Sequence, residues 1–175
     1  MNKLIGLGLF MLTISQVNGQ DWETPIIEGY GKILNIKDSA VQPDSNLTYN
    51  LVFDIKDGKE MEGVNAGLWK IARTLNMLGA SKIDPKNIHI VAAIHGEATF
   101  VVLNNERYTE ENGKLNPNLE LLKLLTEHDV ELYVCGQASA ARNIGAADMN
   151  PYVQTALSAI SVLANYQLKG YALMP

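Results

Sequence analysis

Residues 130–142 read VELYVCGQASAAR and contain Cys135, the only cysteine in the 175-residue sequence. The first part of this stretch, residues 130–134, is a short apolar run of the kind that forms a strand. The alanine-rich part after Gly136 favours a helix. A strand that passes directly into a helix is the repeating unit of α/β proteins. The stretch therefore predicts an α/β fold with Cys135 where the strand gives way to the helix.

Three other segments also predict strands. Residues 49–56 alternate between apolar and polar side chains, the pattern of a strand with one buried face. Residues 88–94 are almost continuously apolar, which is typical of a strand buried on both faces. A short apolar run at residues 171–174 predicts a final strand.

Helices are predicted between these strands. Apolar residues recur at helical spacing across residues 64–78, and a second helix is expected over residues 97–105. A polar loop at residues 109–114 leads to a third helix that starts at Pro117, in its first turn, and reaches His128. Residues 153–165 predict a helix that is apolar nearly all round, so both of its sides should be covered.

The alternation of strands and helices predicts one α/β domain with a mainly parallel sheet and helices on both faces. We place this domain at residues 49–175. Residues 20–48 contain turn-forming glycine, proline and asparagine and predict an irregular N-terminal arm.

Residues 1–19 have the features of a secretory signal peptide. Lys3 is followed by an apolar run over residues 4–14, and Val17 and Gly19 provide small side chains at a cleavage site. The apolar run is too short to span a bilayer, and we find no later segment suited to a membrane helix. We therefore expect a mature chain that begins near Gln20, is exported to the periplasm or secreted, and does not enter a membrane.

The composition argues against several classes of partner. The formal net charge of −5 disfavours binding to nucleic acid or to an anionic membrane surface. His89 and His95 would lie ~20 Å apart along one strand, too far to share a metal ion. Gly58, Gly63 and Gly67 fit neither common nucleotide-binding loop. We therefore expect no metal and no cofactor.

The predicted topology suggests a site. Ligands bind open α/β sheets beyond the carboxyl ends of the strands, where His95 and Cys135 would share one rim. Helix N–H groups after Cys135 would stabilise a thiolate or a bound anion. Cys135 is the candidate catalytic residue. The candidate ligand-binding residues are His95, Gly96, Gly136, Gln137 and Arg142.

The residues themselves leave the role of this rim open. A lone cysteine in an exported protein is a reactive thiol, a bridge between chains or an inert buried residue, because it has no partner for an internal disulfide. His95 is either a general base or a buried histidine with satisfied hydrogen bonds.

Several motifs together resemble the DsrE/DsrF-like family. They are IHG (94–96), VLNNE (102–106), NPNLEL (116–121), VELYVCGQ (130–137), AAR (140–142) and KGYALMP (169–175). The resemblance covers residues 49–175 and implies a compact α/β fold that assembles as trimers or hexamers. It also implies that Cys135 carries sulfur as a persulfide. The sequence departs from many relatives in having Asn143 after Arg142, and from several in having Ala138 where they have a second cysteine.

The resemblance and the predicted export together suggest an exported sulfur-handling protein with Cys135 as a thiol or persulfide carrier. Its expected partners are further copies of the chain, most simply in a trimer or hexamer, and a protein that donates or accepts sulfur. A non-enzymatic module that binds a small anion, or a structural oligomer with an inert Cys135, remains the alternative.

Overall fold

A parallel sheet of five strands forms the centre of the computed structural model, which describes residues 21–175. In chain order the strands are β1 (Tyr49–Ile55), β2 (Glu60–Met61), β3 (Val64–Asn65), β4 (Ile88–Ile94), β5 (Glu131–Cys135), β6 (Gln154–Ala156) and β7 (Ala172–Met174). The sheet order is β6-β5-β4-β1-β7 and every neighbouring pair is parallel, while β2 and β3 form a separate hairpin. The predicted signal peptide lies outside the described residues.

Helices cover both faces of this sheet. They are α1 (Ala66–Ala80), α2 (Asn105–Asn112), α3 (Leu119–Glu127), α4 (Gly136–Ala140) and α5 (Ala159–Leu168), with 3₁₀ turns at Pro85–Asn87, Gly96–Val102 and Ala146–Asp148. Helices α1 and α3 pack on one face and α5 on the other. This confirms the prediction of an α/β domain with a parallel sheet and helices on both sides.

The two faces of the sheet differ in the size of their cores. In β1, Phe53 and Ile55 point towards α1 and α3 and join the larger core, whereas Val52 points towards α5. The smaller core under α5 consists of Val52, Val91, Ala93, Cys135, Ala159 and Val162. Side chains alternate between the faces of a strand, so the position of Cys135 in β5 places its sulfur in the α5 layer.

The predicted strands are found, one of them shifted, but the structure also has the short strands β2, β3 and β6, and β3 occupies the start of the helix predicted over residues 64–78. Strands β1, β4 and β7 confirm the predictions for residues 49–56, 88–94 and 171–174. Strand β5 begins at Glu131 and includes Cys135 as its last residue, one position later than the predicted 130–134. Strand β6 was not predicted, because its three residues, QTA, carry too little apolar sequence to indicate a strand.

The helix predicted over residues 97–105 is wrong. Residues Gly96–Val102 form a 3₁₀ segment, whose carbonyl groups are bound by side chains from elsewhere in the chain. The buried Asn116 donates from Nδ2 to the carbonyl oxygens of Val101 and Leu103, at 2.8 and 2.7 Å. These bonds replace the ones that a longer α-helix would make, so the segment turns away after Val102.

The polar loop predicted at residues 109–114 is also wrong, since α2 occupies most of it. The side chain of Asn104 caps the start of α2, and Gly113 ends it in a left-handed conformation with φ of 69°. The third helix begins two residues later than predicted. Pro117 precedes the helix, and Asn118 is the N-cap of α3.

The long apolar helix predicted over residues 153–165 divides into a strand and a helix. Strand β6 pairs in parallel with β5, so its residues are extended. Ser158 then starts α5, with its hydroxyl oxygen accepting a hydrogen bond from the Ile160 N–H at 3.0 Å. The later residues of this range do form a helix, but the helix begins only after Ser158, which lies inside the predicted range.

The N-terminal arm packs against α1 through a buried asparagine. Asn76 is fully buried, and its Oδ1 accepts hydrogen bonds from the N–H groups of Ile26 and Ile27, both at 2.8 Å. Its Nδ2 donates to the carbonyl groups of Tyr30 and Gly31 at 2.8 and 3.0 Å. One side chain thus satisfies four backbone groups of the arm and holds it over the outer side of α1.

Candidate functional site

The register of β4 and β5 places His95 beside Cys135. Parallel pairing matches Ala93 with Tyr133 and Ile94 with Val134, so the next step along both chains brings His95 level with Cys135. Neighbouring strands are ~4.8 Å apart. Ala93 belongs to the core under α5, and His95, two residues on in extended backbone, projects to the same face. The strand register thus sets His95 and Cys135 at the same edge of the sheet.

The sulfur of Cys135 caps the short helix α4. Its Sγ accepts a hydrogen bond from the Ala138 N–H at 3.4 Å, as an N-cap side chain does. The residue is 7% exposed and belongs to the apolar layer under α5. The thiol is therefore nearly buried, with apolar neighbours on one side and backbone N–H groups on the other.

The start of α5 also faces this sulfur. Burial is the largest single influence and raises the pKa of the Cys135 thiol. The backbone N–H groups of Ala159, Ala138 and Gln137 and the side chain of Ser158 lower that pKa and together outweigh burial. The pKa of Cys135 is therefore lowered from its ordinary value, because two helix N-termini stabilise the thiolate.

His95 makes a short hydrogen bond to an acidic side chain of β1. Its Nε2 lies 2.6 Å from Oδ1 of Asp54, and both side chains are about three-quarters buried, with 28% and 24% exposed. Asp54 is two residues after Val52 and therefore shares the sheet face of α5. The rim thus contains a histidine–carboxylate pair next to the cysteine.

Arg142 connects the segments that follow β4 and β5. Its Nη2 lies 3.2 Å from Oε1 of Glu97, and its guanidinium stacks 5.6 Å from the centre of the Phe100 ring. Its Nη1 donates to the carbonyl of Ala138 at 3.3 Å. The guanidinium therefore holds these two segments together, and Arg142 has a structural role beside the site.

The two predicted glycines allow close backbone approaches. Gly96 has a φ of +56°, and a side chain there would meet the carbonyl oxygen of Lys56 at 2.7 Å. A side chain at Gly136 would meet the carbonyl oxygen of Ala156 at 2.9 Å. Gln137 donates from Nε2 to the Leu157 carbonyl at 3.2 Å and so ties α4 to the chain before α5. These three residues shape the rim.

Sequence reasoning missed three contributors to the site. Asp54 is the one charged residue of strand β1, YNLVFDI, and that charge was a usable signal. Ser158 and Ala159 lay within a predicted helix, and only a correctly placed helix start would have revealed them. The pairing of β6 with β5 brings this start to Cys135, and no local pattern indicates it.

Residues 21–175 contain no group of three or more histidine, cysteine or acidic side chains placed to hold a metal ion. Over the same range, no helix has the length and apolar content needed to cross a membrane. The N–H donors at the rim suit an anionic sulfur, while the His95 imidazole and the Asp54 carboxylate bind each other.

Comparisons with known proteins identify the family. The family model described as DsrE/DsrF-like matches residues 51–175. The chain belongs to the DsrE/DsrF-like family. The N-terminal arm, residues 20–48, lies outside the matched region. Membership suggests a sulfur-relay-like role. No curated protein matches the sequence.

Two solved structures of DsrE-like proteins are similar to this chain. One is MTH1491 from Methanobacterium thermoautotrophicum, a protein of unknown function, with 16% identity, a TM-score of 0.48 and coverage of 72% of this chain and 97% of that one. The other is the ychN protein from E. coli, with 16% identity, a TM-score of 0.45 and coverage of 71% and 96%.

The Ala159 N–H group, at the start of α5, can be removed with little change to the backbone. Ala159 is the first residue of α5, where proline is tolerated, and Ser158 is already extended, as the residue before a proline must be. We expect Ala159→Pro to raise the pH midpoint of Cys135 alkylation by roughly one to two units, the value of one hydrogen bond to a charged group. Iodoacetamide labelling across pH measures the midpoint.

Ala159→Gly is the matched control, because it changes the same position and keeps the N–H group. Its labelling midpoint should stay with that of the wild type. Equal midpoints for the proline and glycine variants would show that the α5 N–H group does not stabilise the thiolate.

Proposed function

We propose that the protein is an exported sulfur carrier that holds a sulfane sulfur on Cys135. The observation that carries this proposal is a nearly buried thiol whose Sγ accepts a hydrogen bond from the Ala138 N–H and whose pKa is lowered by groups at the starts of α4 and α5. A buried cysteine that only fills space does not require N–H donors around its sulfur, and burial alone would raise its pKa. The arrangement stabilises a thiolate, which is the nucleophile in sulfur exchange.

The transfer step is a displacement at sulfur. The Cys135 thiolate attacks the outer sulfur of a donor persulfide, R–S–SH, and a new bond forms between Sγ and that sulfur. The bond to the donor sulfur breaks, and its electron pair leaves with the donor as R–S⁻. No net oxidation occurs. The chain is left with Cys135–S–SH, and an acceptor thiolate removes the sulfur in the same way.

The same N–H groups would also suit a small bound anion, which is the alternative function. In that case Cys135 would be a structural part of a binding rim. The direct contact of the donors with Sγ favours the carrier, because the thiolate itself occupies the position that an anion would take.

The carrier proposal can be tested by intact-mass analysis. After incubation with a low-molecular-weight persulfide donor and removal of the excess, the folded protein should gain the mass of one sulfur atom on Cys135. Cys135→Ser should gain none, because no other cysteine is present in the sequence. An unchanged mass for the wild type, with bound donor anion detected by calorimetry, would favour the binding module.

We also propose that copies of the chain assemble through the outer face of α5. This helix has no charged residue, and Ile160 and Leu168 on its outer side are 78% and 87% exposed. Leu157, just before the helix, extends the apolar surface towards Cys135. The arm covers the outer side of α1, which leaves α5 as the bare apolar helix of the described fold. Family resemblance favours a trimer or a hexamer.

Assembly should depend on the apolar side chains of α5. We expect light scattering at micromolar concentration to give a mass that is a multiple of three chains. Leu168→Lys should reduce that mass, because it places a charge on the proposed interface while suiting the C-terminal end of the helix. Leu115→Lys is the control, since Leu115 is 67% exposed on a distant loop. A monomeric wild type would refute the assembly.

Export is the remaining part of the proposal. If residues 1–19 are a signal peptide, protein recovered from the periplasm or medium of an expressing cell should begin near Gln20. N-terminal sequencing of that material provides the check. Recovery of the chain only inside the cell, with Met1 or the next residues retained, would contradict export.

A further inference from the structure

The histidine–carboxylate pair is the polar feature of the rim whose role is not yet assigned. His95 and Asp54 come from adjacent strands, and their 2.6 Å contact lies at the edge of an otherwise apolar layer. A carboxylate at such a position needs a strong partner, because burial of an unpaired charge is costly. The imidazole supplies that partner, and the carboxylate in turn fixes the orientation of the ring.

The register of three strands brings this pair to the cysteine. Pairing of β1 with β4 sets Asp54 beside Ala93, one pleat from His95 on the same face. Pairing of β4 with β5 then sets His95 level with Cys135. The three side chains therefore follow one another across the carboxyl end of the sheet, in the order carboxylate, imidazole, thiol.

We propose that His95 is the acid–base group for sulfur transfer at Cys135 and that Asp54 is its positioning residue. This inference rests on the proposed function and assigns the residues that take up and return the proton during sulfur transfer. Because Nε2 of His95 is bound to Asp54, the nitrogen left for exchange with the thiol is Nδ1. The order of groups is that of a cysteine–histidine–carboxylate nucleophile system.

The proton balance of the transfer step follows from this arrangement. His95 takes the proton of the Cys135 thiol and becomes imidazolium, which the Asp54 carboxylate stabilises. The thiolate attacks the outer sulfur of the donor persulfide, and the donor leaves as a thiolate. His95 then returns the proton to that leaving group, which departs as R–SH. The imidazole ends the step neutral and ready for the next transfer.

The other charged groups near the rim either pair with each other or lie outside the row of Asp54, His95 and Cys135. Arg142 and Glu97, from the segments after β5 and β4, bind each other. Lys56 and Asp57 follow β1 and are exposed at its end. Helix α5 contributes no charge. Tyr133 and Tyr166, which also belong to the α5 layer, both donate from their hydroxyls to Oε2 of Glu131, at 2.6 and 2.9 Å. His95 is therefore the histidine that the strand register sets beside the thiol.

The test compares two carboxylate variants that remove the same charge. Asp54→Asn should slow iodoacetamide labelling of Cys135 about tenfold at pH values below the labelling midpoint, because the imidazolium that stabilises the thiolate is weakened. Asp57→Asn, three residues away with no ion pair to His95, should label at the wild-type rate. Thermal unfolding of each variant shows that the protein measured is folded.

A double-mutant comparison in the His95→Gln variant separates a positioning role of Asp54 from a structural one. In His95→Gln protein, adding Asp54→Asn should cause no further slowing, because the carboxylate acts through the imidazole. In addition, ¹⁵N NMR of folded Cys135→Ser protein should show the His95 proton on Nε2, and Asp54→Asn should remove that preference. This readout does not depend on thiol reactivity.

The outcomes distinguish this inference from the proposed function. Persulfide formation on the wild type with equal labelling of Asp54→Asn and Asp57→Asn would overturn the dyad and leave the carrier intact. Additive effects in the His95→Gln background would overturn the positioning role. A wild-type thiol that stays unlabelled until the protein unfolds would remove the carrier, and the acid–base role with it.

Discussion

The parallel pairing of β4 with β5 is the constraint on which the candidate site depends. It brings the carboxyl ends of both strands to one edge of the sheet and sets His95 level with Cys135. A shift of one residue in this register would turn the cysteine to the opposite face, into the core under α1 and α3. The next pairing, β5 with β6, then brings the start of α5 to the sulfur.

Two opposing effects act on the Cys135 sulfur. Its place in the apolar layer favours the neutral thiol, and the N–H groups of Ala159, Ala138 and Gln137 favour the thiolate. Because the starts of α4 and α5 both face Sγ, this nearly buried cysteine has a lowered pKa. The same burial would shield the thiolate from oxidants.

The sequence was sufficient for the fold class and for part of the site. Periodicity located β1, β4 and β7, because each strand is apolar enough to stand out from its surroundings. The rim with His95 and Cys135 followed from the general placement of sites in α/β sheets. The arrangement of Gly96–Val102 could not be predicted in this way, because the buried Asn116, from outside the segment, binds the carbonyl groups at its end. The contribution of Ser158 and Ala159 likewise depends on a strand too short to recognise.

The lowered pKa of the Cys135 thiol in the folded protein is the property on which the proposed function depends. Ultraviolet absorbance of the thiolate, followed as the pH is lowered, tests this directly, because the chain has a single cysteine. We expect the folded protein to lose this absorbance at a lower pH than the same chain unfolded in urea, where the thiol has its ordinary pKa of about 8.5. A folded midpoint equal to or above the unfolded one would contradict it.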